Sequence, residues 1–266
     1  MNLWIYGDSF AVDWKVDWGW MRQLAPRLKV DNCHIQSCAG TNNEWILKTF
    51  RDDKHQAGDV VIIFLTEPSR HWFFKDRPHL SNLASIMDTK DAADVKREDG
   101  DKFEAIMQYY AHLHRDDLVN FRLQMMTDFI RVKSIEREIK LQVIPAFPMN
   151  IDWTDLYPVK GNMTFSICDR EFTGGWEDIQ SWYSQSIDTR ANHMTFENHC
   201  VFADILYERF TKGGGLLDLE DPRFQTGFLK LSDKLTHPGL CDELVRMAME
   251  PGNTIPKEHF PKKRLT

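Results

Sequence analysis

Short apolar segments and longer amphipathic segments alternate over the first 65 residues. Three short segments have the composition of strands: Leu3–Tyr6, His34–Ser37 and Val60–Leu65. Between them, apolar residues recur every three or four positions over residues 17–28 and after Asn42 or Asn43, either of which can cap a helix. Strands that alternate with helices through short connections predict an α/β fold with a parallel sheet.

The alternation stops at Pro68. Residues 68–101 mix aromatic and charged side chains without a period, which predicts a long loop or insertion. Two helices are then predicted, at about 102–114 and 116–140. The second has an apolar stripe that we expect to face the core: Leu118, Phe121, Met125, Phe129, Val132 and Ile135.

The rest of the chain adds a fourth predicted strand at 141–147, a further strand at Met163–Ile167 and a helix at 195–210. Beyond it the chain is punctuated by prolines. We therefore predict one α/β domain at 1–210 with an insertion at about 69–101. A C-terminal extension at 211–266 follows it.

Composition and charge restrict the classes of partner. Of the 266 residues, 42% are hydrophobic and the formal net charge is −7, which argues for a folded core and against nucleic-acid binding through a broad basic face. The longest apolar run, Val60–Leu65, is far shorter than a membrane span, which needs about 20 residues. The first residues lack the basic region of a signal peptide, so a cytoplasmic protein is expected.

Cysteine spacing gives no sign of a metal site or of structural disulfides. The five cysteines are scattered and form no CxxC pair. Free thiols in a reducing compartment are expected, and no metal is predicted. The pattern does not indicate an oligomeric state.

The strongest chemical signal follows the first predicted strand, where Gly7, Asp8 and Ser9 occur in sequence. Open α/β sheets bind their ligands at the carboxyl ends of the strands. Gly7 permits a sharp turn there, and Ser9 is a candidate nucleophile with a free hydroxyl.

A strand followed by Gly-Asp-Ser near the start of a chain resembles the first sequence block of the SGNH/GDSL hydrolases, a superfamily of flavodoxin-like α/β serine esterases and acyl hydrolases. The start is also similar to that of uncharacterised proteins of tailed phages. The resemblance implies a three-layer sheet flanked by helices, with Ser9 as the nucleophile. Residues 192–203, which precede and begin the last predicted helix, resemble the family's final block and imply that His193 is the general base.

The middle blocks of the family match in part. Gly40, in the segment after the second predicted strand, corresponds to the glycine whose N–H helps to bind the oxyanion. The Gly-x-Asn-Asp block expected after the third strand is replaced by a segment that starts with Thr66 and Glu67. Thr66, Arg70 or Asn42 can supply the missing donor, whose loss typically costs about 10²–10³ in rate.

The acid of the triad is displaced as well. The family places an aspartate three residues before the histidine, where this chain has Arg190. Asp188 lies two residues further back and is the candidate acid. The other possibility is a dyad of Ser9 and His193 in which a backbone carbonyl orients the imidazole.

These features together predict the hydrolysis of an ester, or of a thioester, in a small-molecule or glycan substrate without a cofactor. A catalytically inactive fold of the same type, used to bind a protein or ligand, is the alternative. A third possibility is another transferase or hydrolase on this sheet, in which Ser9 binds a phosphate.

Overall fold

A five-stranded sheet forms the centre of the protein in a computed structural model. The model describes residues 1–13, 19–74, 81, 96–97, 100–149, 158–168, 194, 196–224 and 252–261. The strands of this sheet are β1 (Leu3–Gly7), β2 (Asn32–Ser37), β3 (Val60–Leu65), β4 (Lys140–Pro145) and β7 (Asn253–Pro256). A separate two-stranded parallel sheet consists of β5 (Val159–Lys160) and β6 (Leu217–Asp218).

The order across the sheet is β4-β3-β1-β2-β7. The first four strands are parallel, with Leu3 opposite both Cys33 and Val60, and β7 joins the β2 edge in the antiparallel sense. The chain therefore goes from β1 to β2 on one side and then returns to β3 on the other. This reversal puts the carboxyl ends of β1 and β3 at a topological switch point.

Helices cover both faces of the sheet. The helices are α1 (Trp20–Leu28), α2 (Asn43–Asp52), α3 (Gly100–His112), α4 (Asp116–Glu136) and α5 (Phe196–Thr211). Alternate residues of β3 belong to different cores: Phe64 packs with α1 and α5, and Leu65 packs with α2 and α4. Because both faces of β3 are covered, all six of its residues are buried.

The α1–α5 core is centred on three aromatic rings. The Trp20 ring lies between those of Phe64 and Phe202, with centroid separations of 5.6 and 5.2 Å. A smaller cluster is separate from these two cores: Phe74 is buried together with Ile106, a residue of α3. The α/β class predicted from the alternation of strands and helices is confirmed.

The predicted orientation of α4 is wrong. Five of the six residues expected to face the core are exposed, and Phe129 is half-buried. The stripe that packs against the sheet is a different one: Val119, Leu123, Met126 and Ile130. The helix has apolar residues on two sides, and periodicity alone does not indicate which side the sheet will cover.

One predicted strand is wrong, and one strand of the main sheet was not predicted. The predicted strand at Met163–Ile167 is instead a short π-helical segment, Thr164–Cys168. The C-terminal extension contributes β7 to the main sheet and buries Leu219, Phe224 and Ile255 in the α1–α5 core. A four-residue edge strand with one buried residue, Ile255, carries too little pattern to be predicted.

None of the helices in the described ranges combines the length and the apolar composition that crossing a membrane requires.

The close approach of β1 and β3 requires a glycine at residue 7. Its φ is +153°, and a Cβ at this position would lie 2.7 Å from Phe64 Cβ and 3.0 Å from Ala11 Cβ. The two neighbouring atoms belong to the packed core, so neither can move away cheaply. The turn after β1 therefore depends on the absence of a side chain at residue 7.

We predict that Gly7→Ala lowers the free energy of unfolding by about 3 kcal/mol or more, because backbone strain and a steric clash add together. Gly58→Ala is the matched control. Gly58 also has a positive φ, of +84°, but a Cβ there meets nothing within 4 Å, so a loss of about 1 kcal/mol is expected. Urea denaturation measures both values, and equal losses would contradict the role given to the clash.

Candidate active site at the carboxyl edge of the sheet

Ser9 opens a single 3-10 turn, Ser9–Ala11, directly after β1. The Asp8 side chain caps this turn by accepting a hydrogen bond from the Phe10 N–H at 3.2 Å. Ser9 is half-buried, and its hydroxyl has no hydrogen-bond partner among the residues that the structure describes. A serine hydroxyl is thus presented at the carboxyl edge without being used to hold the turn.

The Asp8 carboxylate joins the end of β1 to the end of β3. It is fully buried, and its Oδ2 accepts a hydrogen bond of 2.7 Å from the Thr66 hydroxyl. The Arg70 guanidinium lies 3.8 Å from the same oxygen. A buried carboxylate is costly unless it is hydrogen-bonded, and these groups together with the Phe10 N–H meet that requirement.

Asn43 connects the start of α2 to the same point. Its side-chain oxygen accepts from the Thr66 N–H at 2.9 Å, and its side-chain nitrogen donates to the Thr66 carbonyl at 3.0 Å. Asn42 caps α2 by accepting from the Trp45 N–H at 2.9 Å. Both asparagines are buried and position the backbone around the site.

Gly40 lies in the turn between β2 and α2. The Cys38 N–H donates to the Gly7 carbonyl at 3.1 Å, so this turn lies beside the end of β1. Gly40 has a φ of +72°, a conformation that suits glycine. Within the described ranges, neither the Gly40 N–H nor the Ser9 N–H donates a hydrogen bond.

Cys38 does not compete as a nucleophile in this turn. Burial raises the pKa of its thiol to about 12, so the thiol stays protonated at neutral pH. Nucleophilic cysteines have a lowered pKa and a positively charged environment.

Arg70 is in contact with three of the loops at this edge. It donates to the Thr41 carbonyl and to the Glu67 carboxylate, each at 3.4 Å. Its guanidinium lies 5.1 Å from the centre of the Phe147 ring, which follows β4. The side chain is only 14% exposed, so its charge acts at short range on whatever enters the crevice.

The structure therefore brings together five of the seven site residues predicted from the sequence: Ser9, Gly40, Asn42, Thr66 and Arg70. The other two, His193 and Asp188, lie outside the described residues. Residues close to His193 in sequence are described, and Met194 is buried in the α1–α5 core together with Phe10.

A chain of hydrogen bonds joins the first turn of α5 to the Ser9 turn. The Trp20 N–H donates to His199 Nδ1 at 3.2 Å, and the Trp20 indole N–H donates to the Phe10 carbonyl at 3.2 Å. The residue next to Ser9 is thus linked through one tryptophan to a residue six positions after His193.

Sequence reasoning missed three groups at the site. Asp8 and Asn43 have their roles through hydrogen bonds to Thr66, which is distant from both in sequence. Asp8 directly follows a predicted strand, and Asn43 lies at the predicted start of a helix. The Thr41 hydroxyl, next to Gly40 in the chain, is buried and has no hydrogen-bond partner in the described part of the chain.

The described residues contain no group of three histidine, cysteine or acidic side chains arranged to hold a metal ion. Comparison of the chain with protein-family models, with curated proteins and with solved structures found no match.

We predict that Thr66→Val, which removes the hydroxyl but keeps the shape, lowers the free energy of unfolding by about 2 kcal/mol, because the Asp8 carboxylate loses a charge-assisted hydrogen bond. The control is Thr211→Val at an exposed hydroxyl that bonds to the Tyr207 carbonyl, where a change below about 0.5 kcal/mol is expected. Chemical denaturation measures both, and a Thr66→Val protein as stable as its control would contradict the importance of this bond.

Proposed function

We propose that the protein is a serine hydrolase of the esterase or acyl-hydrolase type, with Ser9 as nucleophile and His193 as general base. The observation that carries the proposal is the half-buried Ser9 hydroxyl, which lies at the β1–β3 switch point and has no partner among the described residues. Crevices at such switch points are the usual ligand sites of open α/β sheets.

The strand order supports the resemblance to the flavodoxin-like SGNH/GDSL hydrolases. The neighbours β2-β1-β3-β4 follow the flavodoxin-like order, with the first and third strands adjacent at the switch point. The two ends of the resemblance, residues 3–10 and 190–206, are also joined through Trp20 by the bonds described above. This connection supports a site in which His193 approaches Ser9.

In the proposed reaction, Ser9 Oγ forms a bond to the carbonyl carbon of the ester while His193 takes the hydroxyl proton. The carbonyl electron pair moves to its oxygen, which the Ser9 and Gly40 N–H groups bind. The intermediate then expels the alcohol, which receives the proton from His193. Water repeats the two steps on the acyl-enzyme and releases the acid and free Ser9.

Asp188, or a backbone carbonyl in the dyad version, orients the imidazole of His193. The third oxyanion donor is best supplied by Arg70. The Thr66 hydroxyl already donates to Asp8, whereas Arg70 carries five N–H donors close to Asp8. Asn42 is the second candidate, because its helix cap uses the side-chain oxygen and not the side-chain nitrogen. The substrate is a small-molecule or glycan ester, and the reaction needs protein groups alone.

One observation favours the inactive alternative, in which the same crevice binds a protein or ligand without chemistry. The position of the family's oxyanion asparagine is taken by a segment whose first hydroxyl, that of Thr66, is committed to the buried carboxylate of Asp8. If Arg70 does not replace that donor, turnover is slower by about 10²–10³, which favours the use of the crevice for binding alone.

A fluorophosphonate probe tests the proposal directly. We expect wild-type protein to gain one covalent adduct on the peptide that contains Ser9, and Ser9→Ala to gain none. Ser69→Ala is the matched control, because this serine is also half-buried in a neighbouring loop but donates its hydroxyl to Glu67 at 2.6 Å. His193→Ala should slow labelling and ester turnover by about 10²–10⁴-fold, and His259→Ala at an exposed histidine should not.

A folded wild-type protein that never reacts with the probe would contradict the hydrolase and support the binding module. Labelling that persists in Ser9→Ala would place the nucleophile elsewhere and would contradict the assigned site.

A further inference from the structure

One residue of the segment between β3 and α3 reaches the turn that contains Gly40. Ser81 is fully buried, and its hydroxyl donates a hydrogen bond of 2.6 Å to the Gly40 carbonyl. This distance is at the short end of the range for a hydroxyl donor and an oxygen acceptor. The two residues are 41 positions apart, so the contact is a product of the fold and not of local chain geometry.

Gly40 depends on contacts of this kind to keep its conformation. The Thr41 N–H donates to the Cys38 carbonyl at 3.1 Å and closes a turn in which Gly40 is the third residue, with a φ of +72°. Glycine adopts positive and negative φ about equally readily, so its own backbone preference does not hold it there. A hydrogen bond that fixes the Gly40 carbonyl from outside the turn limits this freedom and, with it, the direction of the Gly40 N–H.

Ser81 is itself held from two sides. Its carbonyl accepts a hydrogen bond of 2.7 Å from the backbone N–H of His71, in the loop after β3, and one of 3.2 Å from the Tyr110 hydroxyl, in α3. Burial raises the pKa of the Tyr110 phenol, so it stays protonated and remains a donor at neutral pH. A serine anchored in this way places its hydroxyl with little freedom, as a group that supports a functional site must.

The other contacts to the turn are fewer and longer on this side. The Cys38 N–H fixes the start of the turn to the Gly7 carbonyl at 3.1 Å. At its end, Arg70 donates to the Thr41 carbonyl at 3.4 Å, which is long for an N–H donor. Among the described contacts to the last two carbonyls of the turn, the bond from Ser81 is therefore the stronger.

We infer that Ser81 is a positioning residue, whose hydroxyl holds the Gly40 turn beside Ser9 in the geometry that an oxyanion requires. For its consequence in catalysis the inference rests on the proposed function. Because Ser81 is fully buried, it acts through Gly40 and not by contact with the substrate. Residues 68–101, predicted as a loop or insertion, would thus contribute to the site.

Steady-state hydrolysis of p-nitrophenyl acetate by Ser81→Ala tests this role. The oxyanion forms in acylation and in deacylation alike, so a displaced Gly40 N–H slows both steps. We expect kcat to fall about tenfold, less than the loss of about 10²–10³ that follows the removal of a donor, and KM to change by less than about twofold. Tyr110→Phe, which loosens the anchor of Ser81 but keeps its hydroxyl, should lower kcat about threefold.

Ser134→Ala is the matched control. Ser134 is also buried and also donates its hydroxyl to a carbonyl, that of Arg131 at 2.8 Å, but it lies near the amino end of β4, at the opposite edge of the sheet. Each alanine variant loses one buried hydrogen bond and should melt about 2–4 °C below the wild type. Only Ser81→Ala should lose turnover, and equal kcat values in the two variants would overturn the inference.

The amide resonance of Gly40 in NMR spectra separates this inference from the proposed function, because it reports on the turn whether or not Ser9 is catalytic. In Ser81→Ala the resonance should broaden through exchange between conformations, and in Ser134→Ala it should keep its wild-type width. An unchanged Gly40 resonance in Ser81→Ala would overturn the inference. A wild-type protein without ester turnover would overturn the proposed function instead, and a broadened resonance would then still support the hold of Ser81 on the turn.

Discussion

The hydrogen bond between Asp8 and Thr66 is the interaction on which the candidate site depends. Both residues are fully buried, and the 2.7 Å contact joins the loops that follow the two central strands. A carboxylate at this depth is tolerated only with donors around it, so the bond determines where the chain goes after β1. Ser9 is the next residue; the turn that it opens is capped by the Asp8 side chain, and its hydroxyl has no partner among the described residues.

The surrounding structure reinforces this bond from several sides. Gly7 lets β1 approach β3 closely enough for Asp8 to reach Thr66. Asn43 holds the Thr66 backbone through both the oxygen and the nitrogen of its side-chain amide. Arg70 provides a positive charge beside the Asp8 carboxylate. These contacts hold the backbone beside Ser9, and a preorganised backbone is what the proposed electrostatic stabilisation of a developing charge requires.

The sequence predicted those parts of the fold that depend on local patterns. The bounds of β3 were predicted to the residue, since a strand covered on both faces is a continuous apolar run. The buried face of α4 was predicted wrongly, because both of its apolar stripes have helical spacing and the sheet covers only one of them. The edge strand β7 has almost no pattern of its own and is defined by its pairing with β2.

The candidate site likewise has residues that a local pattern predicts and contacts that depend on the topology of the sheet. Ser9 was predicted from a turn directly after a strand, which is a local feature, and Gly40 from the resemblance to the SGNH/GDSL hydrolases; their roles stay predictions. The bonds from Asp8 to Thr66 and from Asn43 to Thr66 span 58 and 23 residues, so they depend on the topology of the sheet. Thr66 was a predicted oxyanion donor; in the structure its hydroxyl donates to the buried Asp8 carboxylate.

The most direct measurement is the rate at which a fluorophosphonate modifies Ser9 in wild-type protein, Thr66→Ser and Thr66→Val. If the bond between residues 8 and 66 positions the nucleophile, Thr66→Ser, which keeps the hydroxyl, reacts at close to the wild-type rate. Thr66→Val then reacts about tenfold or more slowly, the effect of about 1.4 kcal/mol on the barrier. Modification of Ser9 at the same rate in all three proteins would contradict the account.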